Sequence, residues 1–252
     1  MNVNLSAIYW LWKREIIRFW RAKSRVIGSL GMPFFFLAII GTGLNGALSL
    51  PGFSGSYMEF IAPGILGMVL LFGSIFSGVT IIMDRQFGFL KETLVAPVSR
   101  TSIAIGKALG GATTAVIQGL LMLVIALLMG VHLNLLALPL AIVLMVLISV
   151  AFVSVGIAIA SMMEDMHGFQ LVMNFLVMPM FFLSGALFPL VNAPLPVQAL
   201  SYANPLTYGV EALRFTLTGS SELPLALCVA VLLLFFVVST YAAAALFKRI
   251  ES

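Results

Sequence analysis

The sequence predicts an all-α polytopic membrane protein with six transmembrane helices, and three observations predict it. Of 252 residues, 62% are hydrophobic and only 9% charged, against about 25% charged in a soluble domain. A soluble chain of this length could not bury so much apolar surface. Six apolar runs match the roughly 20 residues a helix needs to cross the hydrocarbon core. Twelve of the thirteen Lys and Arg residues fall on one side once these runs alternate across a bilayer, and basic loops stay inside.

Residues 1–25 precede the first run. On a helical wheel Leu5, Ile8, Tyr9, Trp12, Ile16, Phe19 and Trp20 form one stripe, and Arg14, Arg18, Arg21 and Arg25 form another on the opposite side. That spacing has the helix period. It predicts an amphipathic interface helix, with aromatics at headgroup level and arginines towards anionic phosphate. At its simplest this helix fixes topology; in a sharper role it passes force from a cytoplasmic partner into the first span. The basic region is too long for a cleavable signal.

The spans are expected at 26–48, 60–83, 108–130, 137–161, 169–190 and 224–247, within one membrane domain covering 1–252. None contains a formal charge. Helices satisfy their own backbone in lipid, and continuous rather than alternating apolarity argues against a β-barrel. Both termini and the segment 84–107 then fall on the cytoplasmic side of a prokaryotic inner membrane.

Segment 84–107 holds Asp84, Arg85, Lys91, Glu92, Arg100 and Lys107, the only formal charges between residues 60 and 163. A short helix is expected between Asp84 and Val95, with Phe87, Leu90 and Leu94 on one stripe. Pro97 ends it, and Ser99 or Thr101 caps the third span. Topology explains the basic residues but not Phe87, Phe89, Leu90 and Leu94 in water; flanked by Arg85, Lys91 and Glu92, they suit docking of a helix in a groove. Gly106 and Gly110 form a small-xxx-small pair that favours close helix approach.

The outer segment 191–223 is apolar but too short to cross. Asn204 reads as an N-cap followed by Pro205 at the first helical position. Leu206, Val210, Leu213 and Leu217 recur at helical spacing, and Glu211 and Arg214 are placed to pair on one face. The prediction is a re-entrant helical hairpin in the outer leaflet, buried in protein or lining a cavity.

Motifs for chemistry are missing. The sequence has no H-E-x-x-H, no G-x-S-x-G and no Walker A; Gly106-Lys107 is followed by Ala108. Glu164, Asp165 and His167 read as a solvated turn rather than a metal site, and His132 has no acidic neighbour in sequence. Cys228 stands alone. Gln118 and Asn174 are the polar groups that stand out inside spans, either packing by interhelical hydrogen bonds or lining a path. The net charge of +4 is read through topology, not as a nucleic-acid site. Spans without midplane charge argue against an ion-coupled carrier. An ATPase-independent channel or carrier is nevertheless the second reading, and an intramembrane enzyme a third that lacks any nucleophile–base set.

Two stretches carry a family resemblance. KETLVAPVSRTSIAIGKALGG (91–111) resembles the cytoplasmic loop of ABC-2 type permeases, the membrane subunits of a class of ABC exporters. FFLSGALFPLVNAPLPVQALSYANPLTYGVEALRF (181–215) resembles the fifth span and outer hairpin of the same family. The resemblance implies a homodimer, with two copies of a separate ATPase subunit docked on its cytoplasmic face. ATP and Mg then belong to that partner, and this chain holds no cofactor. Arg85, Phe87, Leu90, Lys91, Glu92 and Leu94 become a coupling helix. The interface helix with Arg14, Arg18, Arg21 and Arg25 also meets the ATPase. Asn204, Pro205, Tyr208, Glu211 and Arg214 belong to a hairpin over the exit. Besides membrane lipids, the implied cargo is an amphipathic drug, lipid or glycan precursor moved outward.

Overall fold

The computed structural model describes residues 4–45, 55–88, 98–163 and 165–247, and every regular element among them is helical. Helix α1 (Leu5–Arg21) opens on Asn4, whose side chain accepts from the Ala7 amide. Helix α2 (Lys23–Phe35), a π-helical turn (Phe36–Gly41) and α3 (Thr42–Asn45) follow. Helices α4 (Tyr57–Ser77) and α5 (Val79–Gln86) follow one another across Gly78, and α6 (Arg100–Leu128) and α7 (Leu138–Met162) are long. Then come α8 (Met166–Val172), a π turn (Met173–Val177) and α9 (Met178–Phe182). Helices α10 (Leu195–Ala203), α11 (Pro205–Thr218) and α12 (Leu225–Phe247) complete the described chain.

Among the described residues, five helical stretches are long and apolar enough to cross a membrane: Val26–Leu44, Tyr57–Gln86, Arg100–Leu128, Leu135–Met162 and Leu225–Phe247. The run expected as a span at 169–190 is instead a shorter apolar helix, Met166–Phe182, interrupted by its π turn. The interruption has a local cause. Pro179 lacks an amide donor and its ring presses on the preceding turn, and a widened turn relieves this. Pro33 lies before, not after, the π turn of the first span, so the same cause does not act there.

Two spans reach further than apolarity predicted. The second begins at a capping box, in which Ser56 accepts from the Glu59 amide and Glu59 from the Ser56 amide, satisfying two orphan donors. It runs on through Asp84 and Arg85. The third begins not at 108 but at Arg100, capped by Ser99, one of the two expected candidates, and carries Lys107 within it. The expectation of charge-free spans is therefore corrected. Helix α5 ends at Phe87, and Gly88 takes a left-handed φ of 79°, which glycine adopts without steric cost. Asp84 thus belongs to the second span and not to a helix continuing to Val95; residues 89–97 lie outside the described residues.

The second span is the centre of the bundle. Ile65, Leu66, Leu70, Leu71 and Ile75 are at most 1% exposed and pack with Met145, Ile148 and Phe152 of α7 and Met122 of α6. By contrast only 17% of the first and of the last span is buried. Where α5 begins, Gly78 and Gly156 cross backbone to backbone: a Cβ on Gly156 would stand 2.6 Å from the Ile75 carbonyl oxygen. The helix tightens there, with i to i+3 bonds from Gly78 to Ile75 and from Ile81 to Gly78, both 2.9 Å. Gly78→Ala places its Cβ on the Gly156 backbone, which cannot step aside. We expect this single methyl to cost about 1–3 kcal/mol, read as a lower unfolding midpoint of the purified protein; an unchanged midpoint would show that the crossing is loose.

Candidate functional site

Two buried ionic clusters mark the two ends of the second span. At the α5 end, Asp84 is 3% exposed and takes three cations. Lys107 Nζ lies 2.5 Å away, Arg14 Nη2 at 2.9 Å and Arg18 Nη2 at 3.1 Å. Glu15 faces the same arginines at 3.5 and 3.7 Å. One carboxylate therefore joins α1, the end of the second span and the start of the third. Arg14 and Arg18 donate to buried Asp84, a partner the wheel did not suggest. Arg21 stays exposed, and the Arg25 side chain lies outside the described residues.

Small residues make this possible. Helix α1 lies along α6, and a Cβ on Gly106 would meet Leu11, while one on Gly110 would stand 2.6 Å from Glu15 Cβ. The close approach read from Gly106 and Gly110 is real, and its partner is α1. Trp12 Nε1 donates to Thr113 Oγ1 at 3.0 Å, and the Asn4 amide donates to Ser102 Oγ at 2.9 Å. The expected apolar stripe is consequently split: Phe19 is buried on the bundle, whereas Leu5, Tyr9 and Trp20 remain exposed. Beside the cluster, Arg85 Nη1 donates to the Met163 carbonyl at 2.9 Å, tying the second span to the end of α7. Phe87 is 68% exposed. Leu90, Lys91, Glu92 and Leu94 lie outside the described residues.

The other cluster centres on Arg214, 2% exposed. It pairs with Glu211 three residues earlier in α11, as the spacing predicted. Its Nη2 donates to the Gly185 carbonyl at 2.7 Å and its Nε to the Phe60 carbonyl at 3.3 Å, and its guanidinium stacks 3.9 Å from the Phe60 ring centroid. Glu211 accepts a further 2.6 Å bond from the Glu222 amide. Gly185 needs its left-handed φ of 69° to turn that carbonyl inward. Glu222 stays at the surface, yet partial burial and then the Glu211 carboxylate raise its carboxyl above the ordinary glutamate value. Asn204 caps α11 through the Leu206 amide at 3.0 Å and donates to the Met180 carbonyl at 2.6 Å. Pro205 takes the first helical position, and Tyr208 donates to the Tyr202 carbonyl at 2.8 Å.

Of the two polar span residues, Gln118 is buried and donates to Ser29 Oγ at 2.7 Å, joining the third span to the first. Asn174 sits exposed on the π turn, accepting only a long 3.5 Å bond from Gln170. His132 does meet an acid, Glu59 at 3.1 Å, which the fold brings from 73 residues away. Asp165 caps α8 through the Gly168 amide at 2.7 Å. Among the described residues no three His, Cys, Asp or Glu side chains are placed to share a metal ion.

Among the described residues, five helices long and apolar enough to cross a membrane, with α1 packed onto them and an ionic cluster at each end of the second, define a multi-pass helical membrane protein. The family model for the ABC-2 type transporter matches residues 6–218, and the chain belongs to that family of transport permease subunits, which are not themselves enzymes. The chain is 27% identical over 244 residues to the inner membrane transport permease YadH of Escherichia coli K12, covering 94% of this chain and 93% of YadH. It is 26% identical over 250 residues to nodulation protein J of Rhizobium leguminosarum bv. viciae, covering 97% and 95%. The protein ycf38 of Cyanophora paradoxa is 28% identical over 222 residues, covering 87% and 77%.

Proposed function

We propose that this chain is the membrane-spanning permease of an ATP-driven exporter, moving an amphipathic substrate such as a drug, lipid or glycan precursor outward across a prokaryotic inner membrane. Two copies pair, and each receives one ATPase subunit at the cytoplasmic face. The segment Met166–Phe182 with the turn after it serves as the fifth of six spans, and α10–α11 form the outer re-entrant hairpin. The observation that carries this reading is the Asp84 cluster. The loop that would meet the ATPase leaves α5 just after Asp84 and rejoins the bundle at Arg100, about two helical turns before Lys107; Asp84 clamps Lys107 and α1 together. A push on the loop therefore moves the interface helix and two spans together. The described buried charges gather at the two ends of the second span, Glu15, Asp84 and Lys107 at one and Glu211 and Arg214 at the other, whereas an ion-coupled carrier would use midplane groups.

The test is the loop itself. Leu90→Asp is expected to abolish co-purification of the partner ATPase and vesicle export while the protein still inserts. Normal ATPase binding and transport in this variant would reject the coupling assignment. Transport without any ATPase would favour the channel or carrier reading.

A further inference from the structure

A cavity of about 480 Å³ lies within one copy of the chain, between α1, the first three spans and the start of α9. This is within the roughly 300–1,000 Å³ of small-molecule sites. Most of its wall is apolar, including Met32, Met68 and Phe72, with Gln118 among its polar lining residues. It runs from Met68 to Thr80 along the second span. Twelve residues of helix rise about 18 Å, close to the roughly 15 Å hydrocarbon depth of one leaflet. The proposed topology makes that leaflet the inner one.

The shallow end is basic. Arg18 lines it, and the cluster there sets Arg14, Arg18 and Lys107 against Asp84 and Glu15, leaving one net positive charge. Glu15 also lines the wall; its Oε1 accepts no hydrogen bond and lies 3.5 Å from Arg14 Nη2, and its Oε2 lies 3.7 Å from Arg18 Nη1. Arg21 and Lys23, which follow Arg18 closely in sequence, are exposed. We infer that this cavity binds an anionic amphiphile of the inner leaflet, its phosphate headgroup at Arg18 and one acyl chain between the first and second spans. The site is complete within one copy and needs no ATPase. It rests on the inward orientation of α1 proposed above, but not on export.

The probe is phosphatidylglycerol offered to the purified full chain in competition with phosphatidylcholine, with retained lipid counted by native mass spectrometry. One phosphatidylglycerol per chain is expected. Gly28 lines the cavity with no atom within 4 Å of its would-be Cβ, so Gly28→Trp fills the space and should cut retention about tenfold. Arg18→Gln should lower the preference for phosphatidylglycerol about fivefold without changing uptake of phosphatidylcholine. Leu128→Trp, on the outer surface, should change neither. If Gly28→Trp does not fold, Met178→Trp on another wall carries the same expectation. Several results overturn the proposal: no retained lipid, undiminished retention with the cavity filled, or preference for a cationic amphiphile such as cetyltrimethylammonium. Displacement by inorganic phosphate would likewise reduce the site to a headgroup contact.

Discussion

Asp84→Ala is expected to loosen the protein by about 3–5 kcal/mol, because removing one partner of a buried pair strands the other charge. Lys107 is only 3% exposed at its side chain and would be left with Arg14 and Arg18 beside it. Three cations then crowd a site with Glu15 as the remaining acid. Helix α1 should detach from the second span, and export driven by the ATPase should collapse even where the ATPase still binds. The double replacement Asp84→Ala with Lys107→Met removes both buried charges. It should recover part of the lost stability, since replacing a whole buried pair by apolar groups is often close to neutral. The check is a double-mutant cycle on unfolding midpoints. If the single and double variants lose the same amount, the pair is not coupled and the clamp is no more than a contact.

Arg214→Leu is the second large effect. It leaves Glu211 buried at 1% exposure with one backbone donor, and leaves the Phe60 and Gly185 carbonyls without their guanidinium. About 3–5 kcal/mol is again the expected cost. Arg214→Lys keeps the charge but not the fork that reaches Glu211 and two carbonyls at once, so it should fall between the leucine variant and the native protein. Export should fail with docking of the ATPase intact, because this cluster lies at the opposite end of the second span from Asp84. Equal stability of the lysine and native proteins would show that charge alone is required there.

Much of this was legible in the sequence where the signal is local. Apolar runs located the five long spans, since hydrophobicity and length are properties of a continuous segment. Asn204 and Pro205 announced the start of α11, and Glu211 with Arg214 announced their own pairing, because a cap and an i, i+3 pair need no knowledge of the rest of the fold. The Asp84 cluster was not legible. Its bonds span 66, 70 and 23 residues, and a count of basic residues treats a paired arginine and a solvated one alike. The same blindness set the span ends too short: hydropathy stops at Asp84 and Lys107, whereas the helices continue because those charges neutralise each other. Gly106 and Gly110 signalled a close neighbour, but nothing local said it would be α1. The π turn beside Pro179 was hidden because the run around it is as apolar as an uninterrupted span.

The crossing at Gly78 and Gly156 has a mechanical consequence. It pins the second span off-centre, six residues from Asp84 and eighteen from Phe60 by sequence. At 1.5 Å per residue the arms are about 9 and about 27 Å. For a rod turning on that fulcrum, an ångström of travel at Asp84 becomes about three beneath Arg214, by the ratio of those arms. Such gearing trades force for distance. It would let a small stroke at one face of the bundle open a wide aperture at the other.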